Sequence, residues 1–201
     1  GLKEGKPFGT EESRLAWFVG LGTIPIGVIG LLFKSAIKTS LRSLYVISAS
    51  LIVLAVVLFI VERVAKQRRT LADLTLKDGL LIGAWQALAL IPGSSRSGSA
   101  ITGGLALGLR REDAARYSFL LSIPSTTLAG LLQLKDFFEA TQRPETVMLV
   151  VGTVVSFIAG LAAISCMLAF VRSRSMLAFV VYRIVLGGLL IGLLQAGVLQ
   201  P

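Results

Sequence analysis

Arg96 is the only charged residue between Asp78 and Arg110, and it stands inside Pro92-Gly93-Ser94-Ser95-Arg96-Ser97-Gly98. A guanidinium holds an oxyanion in a planar fork and keeps its charge where the dielectric is low. Ser94, Ser95 and Ser97 put hydroxyls beside it, and Gly93 and Gly98 relax the backbone on either side. Fixed donors of this kind, gathered around one cation, suit the binding of an anion and of charge that develops on it.

Such a cluster needs elements to carry it. Residues 79–95 and 97–109 carry no charge for 17 and 13 positions, too short to cross a bilayer when about 20 residues are needed. They read as a re-entrant hairpin over 79–109 that enters the membrane and returns. Pro92 lacks an amide hydrogen and clashes with the carbonyl four residues earlier, so the first half-helix ends near Ile91. A second half-helix beginning near Ser97 or Gly98 turns its free N–H groups toward Arg96, which makes an anion pocket. The plainer alternative is a connecting turn with Arg96 snorkelling to a headgroup. The uncharged lengths argue against it, and an arginine at membrane depth is itself a sign of a site.

The chain as a whole is an integral membrane protein. Its mean hydropathy is +0.81, and its 20 Lys+Arg and 11 Asp+Glu gather between apolar runs. Without interleaved basic and aromatic residues, no nucleic-acid partner is expected. A single cysteine, Cys166, permits no intrachain disulfide and reads as core packing, and the lack of histidine removes the usual general base. The opening residues carry no signal peptide or initiator methionine and read as a cut inside a longer protein.

The expected class is all-α and polytopic, one membrane domain over 1–201, with spans at about 14–33, 43–61, 117–134, 146–171 and 176–199. The first bends at Pro25. The polar stretch 62–77 reads as a surface loop with a partial amphipathic helix. Ser122, Ser125, Thr126 and Thr127 surround Pro124 in an unusually polar patch, read either as bonded to carbonyls that the proline releases or as lining a cavity. Gln86 belongs to the cavity-lining set. Arg183 lies near one end of the last span and reads as snorkelling, with a buried tether or substrate contact as the alternative.

Loop charge orients the chain. If the hairpin returns to its side of entry into the bilayer, one face collects Lys3, Lys6, Arg63, Lys66, Arg68, Arg69, Lys77, Arg110, Arg111, Arg116, Arg172 and Arg174. The other has Lys34, Lys38, Arg42, Lys135 and Arg143. Twelve against five marks the first face as cytoplasmic. The C-terminus is then external, and the polar cavity opens outward.

These residues also carry a resemblance. Ile91 to Gly98, followed by Gly103-Gly104, Gly108-Leu109, Glu112-Asp113-Ala114-Ala115-Arg116 and Ser118-Phe119-Leu120-Leu121-Ser122-Ile123-Pro124, resembles the C-terminal signature of the undecaprenyl-pyrophosphate phosphatase (bacitracin-resistance) family. The family pattern Pro-Gly-x-Ser-Arg-Ser-x-x-Thr falls on Pro92, Gly93, Ser95, Arg96 and Ser97. Its final threonine falls on Ala100, with Thr102 two residues on. The likeness extends through Thr23-Ile24-Pro25, Gly30-Leu31-Leu32-Phe33 and Tyr182-Arg183, across essentially the whole chain.

The resemblance implies hydrolysis of undecaprenyl diphosphate to the monophosphate and inorganic phosphate in the bacterial plasma membrane, recycling the lipid carrier of peptidoglycan synthesis. It implies Arg96, Ser95 and Ser97 as catalytic residues, with Gly93, Ser94, Gly98 and Thr102 binding phosphate. The family's N-terminal motif, with its two glutamates and histidine, is absent, so a missing N-terminal part is an expected partner and holds the expected Mg or Ca ion. An inverted-repeat architecture and a homodimer are further expectations. The alternative function is a secondary transporter or lipid flippase that binds an anionic headgroup at the broken helix.

Overall fold

The computed structural model describes residues 9–34, 40–139 and 146–200. Of the loop charges, Lys3, Lys6, Lys38 and Arg143 lie outside them. The described residues form α1 (Glu11–Gly22), α2 (Ile24–Leu32), α3 (Leu44–Val64), α4 (Leu76–Ala87), α5 (Arg96–Ala106), α6 (Arg111–Glu139), α7 (Thr146–Ser173) and α8 (Leu177–Gln195). The protein is an all-α polytopic membrane protein. Segments Glu11–Leu32, Leu44–Val64, Val147–Ser173 and Leu177–Gln195 are long and apolar enough to cross a bilayer. The expected span 117–134 lies within α6 and is not among these, because Ser122, Pro124, Ser125, Thr126 and Thr127 dilute its apolar sequence. The first segment breaks at Thr23, and Pro25 sits in the first turn of α2, where a missing N–H costs nothing.

The α4–α5 hairpin begins and ends at the same place. Thr75 and Asp78 cap α4 reciprocally, the Thr75 N–H and Oγ1 donating to Asp78 Oδ2 at 2.9 and 2.7 Å. Arg69 joins this start to the finish of α5: its guanidinium grips Asp78 and also donates to the Leu107 carbonyl at 3.0 Å. Its backbone adds an isolated bridge, Arg69 N–H to Gly108 O and Arg110 N–H to Arg69 O, each 2.9 Å. The 12 residues of α4 and 11 of α5 rise only about 18 Å, well short of a hydrocarbon core. In place of the expected amphipathic helix, 62–77 holds the last turn of α3, extended chain and one 3₁₀ turn, Leu71–Asp73. Thr70, Asp73, Thr75 and Asp78 are engaged in capping and in holding Arg69.

Packing fixes the hairpin against its neighbours. A Cβ at Gly83 would stand 1.8 Å from the Gly22 carbonyl oxygen, so α1 and α4 touch backbone to backbone. Tyr117 is fully buried and donates to the Phe18 carbonyl at 2.9 Å. Ile82, Ile101, Leu105 and Leu121 fill the core around it. At one end, buried Glu62 accepts from Arg111 Nε at 2.6 Å and from the Met176 N–H at 2.9 Å, which ties α3, α6 and the start of α8. Cys166, expected in the core, is exposed on α7, whose apolar surface faces outward along nearly its whole length.

Candidate active site

The break between α4 and α5 follows from its residues. Ile91 is extended, as a residue before proline must be, and the Pro92 carbonyl accepts from Ser50 Oγ of α3 at 2.6 Å. Gly93 has φ +89°, and a Cβ there would lie 2.3 Å from Ser50 Oγ, so only glycine lets the turn press against α3. Ser95 is left at φ +63° and ψ 116°, unusual for a residue with a side chain. It serves as N-cap, its Oγ accepting the Gly98 N–H at 3.2 Å while lying 3.5 Å from Ser97 Oγ. The Arg96 and Ser97 amides open the helix and have no carbonyl one turn back to receive them.

Arg183 of α8 holds the turn from the other side. It is 6% exposed, and its Nη2 donates to the carbonyls of Gly93 and Ser94, each at 3.0 Å. Its Nε is buried without a partner. Nη1 lies against the first turn of α5, 3.0 Å from where a Gly98 Cβ would stand. A side chain at position 98 would push the guanidinium away. The snorkelling reading of Arg183 is therefore corrected: its head points inward, because two turn carbonyls that face no water need a donor.

Beneath this cluster lies a cavity of about 450 Å³. Gly93, Ser95, Ser97, Gly98 and Arg183 form its polar end, and Leu51, Leu58, Ile101, Phe119, Met167 and Phe179 are among its apolar walls. One end thus suits an anion and the rest a hydrocarbon.

The proposed site residues divide. Ser95, Ser97, Gly93 and Gly98 meet at the cavity. Arg96 is exposed and does not line it; at about 100° per residue it falls on the far flank of α5 from Ser97 and Ile101. No ion pair or hydrogen bond engages its side chain among the described residues. Ser94 is fully buried with an unpartnered Oγ behind the turn, and Thr102 Oγ1 is spent on the Gly98 carbonyl at 2.7 Å, so neither reaches the cavity. Gln86 is likewise sealed in the core, both ends of its amide unpartnered.

The hydroxyl patch is corrected as well. Ser122 donates to Phe119 O, Ser125 to Leu121 O and Ser122 O, Thr126 to Ser122 O and Thr127 to Ile123 O, all within their own helix. Their hydroxyls are spent on carbonyls of α6 itself instead of lining the cavity, and none of them bonds Leu120 O, the carbonyl that Pro124 leaves without its helical N–H. Reasoning from sequence missed Ser50 and Ser118, whose hydroxyls bind the carbonyls of Pro92 and Ser97 at 2.6 and 3.3 Å. Both sit in apolar runs, where a lone serine gives no sign of its partner.

A sequence model of the family described as "Bacitracin resistance protein BacA" matches residues 2–189. A protein of Myxococcus xanthus (strain DK1622) named undecaprenyl-diphosphatase is 62% identical over 201 residues, covering 100% of this chain and 68% of its own. One of the same name from Chlorobium chlorochromatii (strain CaD3) is 46% identical, covering 100% of this chain and 74% of its own. A third, from Mycolicibacterium smegmatis (strain ATCC 700084 / mc(2)155), is 48% identical over 94% of this chain and 69% of its own.

Proposed function

The chain belongs to the bacitracin resistance protein BacA family, and from that premise we propose that it hydrolyses undecaprenyl diphosphate to undecaprenyl phosphate and inorganic phosphate. The observation that carries the reading is the cavity in which Ser95, Ser97 and Arg183 close one end of an apolar chamber, a shape suited to a diphosphate with a prenyl tail. Water oxygen adds to the terminal phosphorus, the bond from that phosphorus to the bridging oxygen breaks, and the lipid keeps one phosphate. The free carrier then returns to cell-wall synthesis, which accounts for a link to bacitracin resistance.

In this reading the opening turn of α5 receives the terminal phosphate. The free amides and the Ser97 hydroxyl donate to its oxygens, where charge grows during transfer. Arg96, exposed and uncommitted, has the length to fold its guanidinium over the same helix end. Ser95 Oγ already accepts the Gly98 N–H. The Ser95 and Ser97 hydroxyls are both assigned as donors at the helix opening. The divalent cation implied by resemblance finds no fitting ligand set here: among the described residues no three Asp, Glu, Cys or His side chains converge.

Membership and the four apolar segments make the protein a multi-pass membrane protein. The loop charges support a bacterial plasma-membrane setting, with the Arg69 end of the hairpin cytoplasmic and the C-terminus external. The test is phosphate release from undecaprenyl diphosphate by purified protein carrying this sequence together with any residues encoded before it. Stoichiometric release with formation of undecaprenyl phosphate is the expected result. Binding without release would overturn the reading.

A further inference from the structure

The cationic side chain that lines the cavity is Arg183, and the phosphatase reading has so far given it no contact with the substrate. Arg183 lies on α8, 87 positions along the chain from Arg96, and Nη2 alone satisfies the Gly93 and Ser94 carbonyls. A single ammonium would suffice for that tether, yet the residue is a guanidinium whose buried Nε has no partner. Its Nη1 has no hydrogen bond among the described residues and lies against the turn where Ser97 and Gly98 begin α5. A buried donor of this kind is unfavourable if nothing ever meets it. Beyond it the walls are mostly apolar.

We propose that Arg183 is a ligand-binding residue that uses its free Nε and Nη1 donors to hold the lipid-linked phosphate, while the prenyl tail leaves between α7 and α8 past Ala163 and Met167. The diphosphate then bridges two cations. Its terminal group lies at the opening turn of α5 within reach of Arg96, and its inner group lies on Arg183, at the boundary between the polar end and the apolar walls. Departure of inorganic phosphate leaves the monophosphate lipid on Arg183, so Arg183 governs product affinity as well as substrate affinity. This assignment rests on the reading of the protein as a lipid-diphosphate hydrolase, but it concerns binding and is tested by binding.

The probes are farnesyl monophosphate and inorganic phosphate, titrated onto the detergent-solubilised protein, with hydrolysis of farnesyl diphosphate followed in parallel. Arg183→Lys keeps a charge and a donor for the two carbonyls but loses the remaining fork. It should retain the ligand-free thermal midpoint while farnesyl monophosphate affinity falls at least about tenfold, about 1.4 kcal/mol. Ala163→Trp, placed on an exposed wall position away from the turn, should lower the same affinity by narrowing the tail path. This variant decides the matter if Arg183→Lys does not fold. Wild-type affinity in a folded Arg183→Lys protein, or in Ala163→Trp, would overturn the proposal. So would equal wild-type affinity for inorganic phosphate and farnesyl monophosphate, which would mean that free phosphate is the ligand. Loss of monophosphate binding in a protein that never hydrolyses the diphosphate would sink the phosphatase reading and leave this assignment standing.

Discussion

Asp78 lies in the fork of Arg69, with Nη1 on Oδ1 at 3.2 Å and Nη2 on Oδ2 at 2.5 Å. Burial pushes the Asp78 carboxyl up, but Arg69 and the Thr75 hydroxyl and amide outweigh it and hold the group below its ordinary value. A depressed carboxylate stabilises the fold fully above its unfolded pKa, about 3.9, and that contribution is lost as pH falls through the lower folded value. Asp78→Asn should therefore lower the thermal midpoint at about pH 7, by about 1–3 kcal/mol of stability for a broken buried pair. It should also flatten the loss of stability between about pH 5 and about pH 2. Parallel pH profiles for wild type and variant would show that the pair contributes nothing.

Gly83→Ala places a methyl group on the Gly22 carbonyl oxygen. The two backbones must separate, and destabilisation of about 1–3 kcal/mol is expected for an overfilled contact. Thermal unfolding in detergent measures it, and an unchanged midpoint would mean that α1 and α4 part freely.

Ser95 and Ser97 should separate under alanine substitution. Ser95→Ala removes the N-cap and costs about 1 kcal/mol of stability, visible in the melt. Ser97→Ala should leave the melt alone and lower kcat at least about tenfold, about 1.4 kcal/mol of transition-state stabilisation. Small and equal kinetic effects would return both serines to a purely structural role.

Arg96→Lys tests geometry against charge. Arg96 is exposed and makes no hydrogen bond or ion pair with a described residue, so stability should change by less than about 0.5 kcal/mol. Turnover should fall sharply as the bidentate fork is lost. Near-normal kcat/KM in the lysine variant would remove Arg96 from the phosphate.

Orientation is open to chemical labelling. In protein lacking Cys166, Ser97→Cys should react with a membrane-impermeant thiol reagent only from outside sealed vesicles, because the hairpin tip points away from the cytoplasmic connectors. Reaction only from the cytoplasmic side would invert the topology. Reaction from both sides would favour alternating access.

The hairpin was legible in the sequence because its determinants are local: Pro92 must interrupt a helix, and the flanking runs are too short to cross. The role of Arg183 was not, since snorkelling and tethering differ only in which way a side chain turns, and the carbonyls that turn it lie about 90 residues away. Likewise Glu62 sits in a stretch crowded with charge, and nothing local marks it as the buried partner of Arg111 and Met176. Ser122 to Thr127 look the same in sequence whether they wet a cavity or turn back onto their own helix. Only the observed bonds to carbonyls of their own helix decide it.

Between Val147 and Ser173, Val171 is the one buried residue of α7, although Ala163, Ile164 and Met167 face the cavity. On that side a single helix of this chain walls the chamber. A carrier lipid diffusing in the plane of the bilayer meets the chamber sideways, and its tail need never pass through water. The search for substrate is then two-dimensional, so turnover in a membrane should depend on the mole fraction of the lipid and not on its bulk concentration.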